Sequence, residues 1–133
     1  MDEHRSKQRP HIDTIVEMKD MTPEETFENT TLLPLLKMQN ALLTRFVSHY
    51  FSQREIVFDQ LSEQKQNDLL TSLIQREQAV KNCLLGMIIG QFTLEEYDVY
   101  SQSSAKLNKR IYQMLLERLK TNKHLLATSE KQG

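Results

Sequence analysis

Few side chains in this sequence have intrinsic reactivity, and their spacing limits what each can do. The single thiol, Cys83, lies in Ala79-Val80-Lys81-Asn82-Cys83-Leu84-Leu85, with Lys81 its nearest cation and no histidine close in the chain. Nucleophilic or redox work needs a thiolate in an electropositive, partly open setting. The pattern instead favours a small apolar residue packed in a core. The four histidines are His4, His11, His49 and His124. None pairs with another at the three- or four-residue spacing that puts two ligands on one helical face, so no metal site is expected. His49 fits the edge of an apolar face, and His124 suits a helix C-terminus, where a cation is favoured.

Two carboxylate clusters stand out, Glu24-Glu25-Glu28 and Glu95-Glu96-Asp98. Acid–base catalysis would need one of them buried with a raised pKa. Both fall in first helical turns, where the helix dipole accounts for them. Glycines at 86, 90 and 133 cannot build a phosphate loop or a dinucleotide fingerprint. Gly86 and Gly90 form a small-x-x-x-small pair that suits close helix approach or helix termination. These residues predict no catalytic site, no cofactor and no metal.

The remaining chemistry is charge. The net charge is −1, but residues 12–30 hold six acids and one base, while 101–133 hold seven bases and two acids. Lys106, Lys109, Arg110 and Lys120 lie along the last helical stretch and are the candidates for phosphate contact. Against nucleic acid stand the lack of interleaved aromatics and of a helix-turn-helix pattern. The stronger reading is that these bases suit a helix C-terminus, flank a core stripe as solubilising groups or pair with the acidic segment.

The elements that would carry these residues are helices. Thr22-Pro23-Glu24-Glu25 starts one, with Thr22 and Glu25 at capping-box spacing and Pro23 at the first helical position. Asn29, Thr30 and Thr31 weaken it, and Pro34 suits the first turn of a new helix. Leu35, Met38, Leu42, Phe46 and Val47 then mark an apolar face, and because no Gly or Pro follows Ser52, one long or bent helix over about 33–61 is preferred to a break near Ser52. Ser62 caps the next helix, expected to run to Ile89 with Gly90 as its terminator. Thr93 and Glu96 form a second capping box, and Phe92 with Tyr97 has hydrophobic-staple spacing. The last helix is expected from 94 to about 121, with Tyr97, Tyr100, Leu107, Ile111 and Met114 on its core stripe. The fold class is therefore all-α, an antiparallel bundle of three to four helices built on a long helical hairpin (about 62–89 and 94–121).

The domain reading is an N-terminal arm over 1–21, one helical domain over 22–126 and a tail over 127–133. The 133 residues suit one domain. The opening residues lack the apolar core of a secretory signal, and the longest apolar run is too short to span a bilayer, so a cytoplasmic protein without membrane contact is expected. High surface relative to volume and broad apolar stripes point to a homodimer or larger assembly. The function expected is that of a non-enzymatic helical interaction module: a small adaptor, chaperone-like protein or regulator that recognises a protein partner through an apolar helical face. The candidate surface is Ile15, Met18, Met21, Phe51, Phe58 and Met87. The alternative is a nucleic-acid-associated regulator using the basic C-terminal helix.

Overall fold

The computed structural model describes residues 21–126, and every described regular element is helical. Helix α1 (Pro23–Phe27) is followed by a π-helical turn (Glu28–Leu32) and α2 (Leu33–Gln53). A 3₁₀ turn (Phe58–Gln60) leads to α3 (Glu63–Arg76) and α4 (Gln78–Ile89). Helices α5 (Leu94–Gln102), α6 (Ser104–Thr121) and α7 (Lys123–Leu126) complete the domain. The expected arm and tail lie outside the described residues, apart from Met21. No helix among the described residues is long and apolar enough to cross a membrane.

The all-α bundle stands. The two arms of the expected hairpin do pack together, because both α3 and α4 lie on α6, while α2 contacts α4, α6 and α7. Leu35, Val47, Leu70, Leu84, Ile88 and Ile111 are fully shielded at the centre. Each such side chain contributes roughly 1.5–3 kcal/mol of transfer free energy. Both capping boxes and the Ser62 cap form as expected.

The short first helix and the place of Pro34 in the first turn of α2 stand, but the expected lengths of the long helices do not, and each interruption has a local reason. The chain does not stop at Asn29-Thr30-Thr31 but widens into the π turn, where the Leu33 N–H reaches the Glu28 carbonyl. Pro34 follows at once. It has no N–H and its ring crowds the carbonyl four residues back, so a widened turn carries the helix past a residue that would otherwise break it.

Helix α2 ends at Gln53 rather than near Leu61. Arg54 caps it, Glu55 takes φ 57°, and the Ile56 N–H returns to the Phe51 carbonyl at 3.0 Å while that of Glu55 reaches Ser52. This is a Schellman stop made without glycine. Its gain is tertiary. In a continuous helix Phe51 and Phe58 would stand about 10 Å apart along the axis, whereas here their rings stack 5.4 Å apart and 7° from parallel. The side-chain amide of Gln66 donates to the Phe58 carbonyl and holds the turn.

The hairpin arms are also broken. Had 63–89 been one helix, Glu77 would fall in register with buried Leu70, Leu73 and Leu84, and a carboxylate would enter the core at high cost. Instead Glu77 leaves helical geometry (φ −90°, ψ 91°), stays exposed, accepts a hydrogen bond from the Tyr50 hydroxyl at 3.2 Å, and lets Val80 turn inward. The second arm breaks at Ser103 (φ −140°, ψ 37°), inside Ser101-Gln102-Ser103-Ser104, where weak helix formers have no apolar contact to hold them. The Ser103 hydroxyl donates to Glu24 at 3.2 Å, and buried residues of α6 then recur at 107, 111, 115 and 119.

Candidate interaction surface

These breaks open one face of the molecule. With α5 set apart from α6, its first two turns lie beside α1 and the π turn. Between them runs a groove of about 480 Å³ lined by Met21, Pro23, Thr26, Phe27, Thr30, Thr31, Glu95, Glu96 and Val99. Phe27 meets Phe92 edge-on at 5.6 Å, and Phe92 meets Tyr100 at 5.5 Å, so a string of aromatic rings supports the groove from the core side. Burial holds the Tyr100 phenol above its ordinary pKa, even though its hydrogen bond to Asn108 acts in the opposite direction.

Glu96 joins the two walls. One carboxylate oxygen accepts the Thr93 backbone N–H at 2.8 Å and so closes the capping box; the other accepts the Thr31 hydroxyl at 3.4 Å from across the groove. Its position is thus set by a cap and a cross-link together, which explains the acidic first turn of α5 without catalysis. On α5, Val99 is 46 % exposed on the groove side with Glu95 and Glu96, whereas Leu94, 72 % exposed, and Tyr97, 47 %, lie on the side of the helix turned away from them. No family model, curated protein or solved structure matches the chain. The groove must therefore be read from its own chemistry: apolar walls, three threonines on one side and two carboxylates on the other.

The expected surface residues do not come together. Phe51 and Phe58 are 1 % exposed and stacked on each other, because the Schellman stop folds the 3₁₀ turn back onto α2. They are core residues and leave the candidate surface. Met87 is half-buried against the core. Met21 does line the groove, where its sulfur accepts from the Asn29 side-chain amide at 3.1 Å. Ile15 and Met18 lie outside the described residues. Leu42, expected on the apolar face of α2, is exposed, as is Tyr97, which the break at Ser103 takes out of register with the α6 stripe.

The expected phosphate-contacting set is divided too. Lys106 and Lys109 are exposed and Lys120 half-buried. Arg110 is committed to the fold: it holds Glu28 through Nε at 2.6 Å and Nη2 at 2.9 Å, and this pairing raises its pKa further. The acidic segment and the basic helix thus meet at this ion pair, one of the three roles the charge pattern allowed.

Cys83 overturns its reading as a core residue, since the thiol is exposed on α4. No cluster of three or more metal-ligating side chains occurs among the described residues.

The groove residues that sequence reasoning missed are Thr26, Phe27, Thr30 and Val99. A signal was present on α5: Val99 is apolar yet falls off the Tyr97/Tyr100/Leu107 stripe.

Proposed function

We propose that this chain is a non-enzymatic helical interaction module that receives an apolar segment of a protein partner in the groove between α1, the π turn and α5. The observation that carries this reading is the groove itself, with the apolar side chains of Met21, Phe27 and Val99 on its walls. An amphipathic helix with apolar residues three and four apart fits such a surface. Its basic residues would meet Glu95 and Glu96, which favours a partner segment with lysine or arginine at its edges.

Self-association belongs to the same reading, because apolar surface exposed on α5 is what a second subunit would cover. A photoreactive amino acid in place of Val99 tests the groove. Cross-linking to a discrete protein is expected, and Thr26→Arg, which fills the groove, should abolish it. No adduct, or an adduct unaffected by Thr26→Arg, overturns the reading. A light-scattering mass of one chain, 15.7 kDa, at micromolar concentration would remove self-association.

A further inference from the structure

Twenty residues precede Met21, and Met21 itself lines the groove, fixed against Asn29 at its edge. The chain therefore enters the domain at the groove. The nearest apolar residues upstream are Met18, Val16, Ile15 and Ile12. From Met18 to Met21 the backbone can span at most about 11 Å and from Ile12 about 32 Å, so all four lie within reach. We infer that the groove is occupied in cis by the chain's own segment 12–18, seated through Ile12, Ile15, Val16 and Met18.

One feature favours this occupant over a second copy, and two more fit the segment to the groove. The short tether holds the segment at an effective concentration on the order of millimolar, above any free concentration a separate chain would reach. At helical spacing Ile12, Ile15 and Val16 share one side while Asp13, Glu17 and Asp20 share the other, so the apolar side can enter without bringing carboxylates against Glu95 and Glu96. Just upstream, Arg5, Lys7 and Arg9 supply the charge opposite to the acidic rim. The segment covers the surface proposed above for a partner, so a partner must displace it; the cis contact itself does not depend on that partner existing.

The test uses the full chain with Cys83→Ser, Ile15→Cys and Val99→Cys. Disulfide formation within one chain is expected to be at least about tenfold faster than when Ile12→Asp and Val16→Asp are added, as docking should raise the local concentration well beyond that of a loose tether. Equal rates overturn the inference. A disulfide joining two chains, in a yield that rises with protein concentration, also overturns it in favour of a second copy's segment. Hydrogen exchange supplies a readout without cysteines. Ile12→Asp with Val16→Asp should speed exchange at 23–32 and 94–102 and leave α2 unchanged; unchanged exchange at both stretches counts against the inference. All these measurements use purified protein alone. Their failure, with cross-linking from Val99 to a partner retained, removes only the cis contact; loss of the partner adduct with the disulfide retained removes only the partner reading.

Discussion

The two ends of this domain obey different rules. Around Phe51, Phe58, Leu70, Leu84 and Ile111, helices α2, α3, α4 and α6 enclose one another, and large side chains are almost completely shielded. At the other end α5 is held chiefly by its capping box, Tyr100, Phe92 and one hydroxyl from Thr31, and leaves Leu94, Tyr97 and Val99 in the open. The first end carries stability and the second is the one free to carry recognition. Local opening draws on elements with few buried contacts, and α5 is such an element.

The sharpest way to break this contrast is to cut each end by the same measure. Phe51→Ala should cost about 3–5 kcal/mol in denaturant unfolding, since it empties a stacked core site, whereas Val99→Ala should change stability by less than about 0.5 kcal/mol. Comparable losses would mean that the α5 end is structural. Thr93→Ala should cost about 1 kcal/mol by removing the cap, with its exchange effect concentrated in α5.

Gly86 and Gly90 sharpen the contrast on α4. A Cβ at Gly86 would meet nothing within 4 Å, so Gly86→Ala should stabilise by about 1 kcal/mol. A Cβ at Gly90 would stand 3.0 Å from the Gly86 carbonyl, so Gly90→Ala should not share that gain. A loss at Gly86, measured together with a fall in assembly mass, would show this face packed against another chain. Glu55→Gly should stabilise by up to about 1 kcal/mol, because a non-glycine residue at positive φ is relieved while the unfolded chain gains some freedom.

The smallest effect concerns Arg110. Its pair with Glu28 is half open to solvent, so Arg110→Gln should cost at most about 1 kcal/mol and less in high salt. The tyrosines add a pH signature. Burial raises the pKa of Tyr100 above its ordinary value near 10, so the folded state holds its proton longer than the unfolded state. Stability from this source is complete below pH about 10 and lost as pH rises through the folded value. Unfolding midpoints followed above pH 9 should fall more steeply in the parent than in Tyr100→Phe.

Much of the fold was legible because its signals are local. Thr22 with Glu25, Ser62, and Thr93 with Glu96 each satisfy backbone amides a few residues away, so residue type and spacing suffice to recognise them. The sequence allows a break near Ser52 but favours one long helix, because the residue that usually marks such a stop is glycine, and here it is Glu55. Glu77 carried a readable warning, being a charged residue in register with a leucine stripe. The groove was hidden for a different reason: its walls, Phe27 and Val99, are 72 positions apart in the sequence.

The sequence by itself determined that the chain is helical, where most of its helices begin, and that acids and bases gather in different segments. Those properties follow from backbone hydrogen bonding and side-chain periodicity within a few turns. Only the tertiary structure decided where the helices break, that Phe51 and Phe58 belong to the core, and that α5 stands beside α1 with a groove between them. Each of those outcomes compares the free energy of two ways of burying distant side chains: a carboxylate or a valine at the α3–α4 junction, two phenylalanines stacked or apart. That comparison exists only once the helices have met.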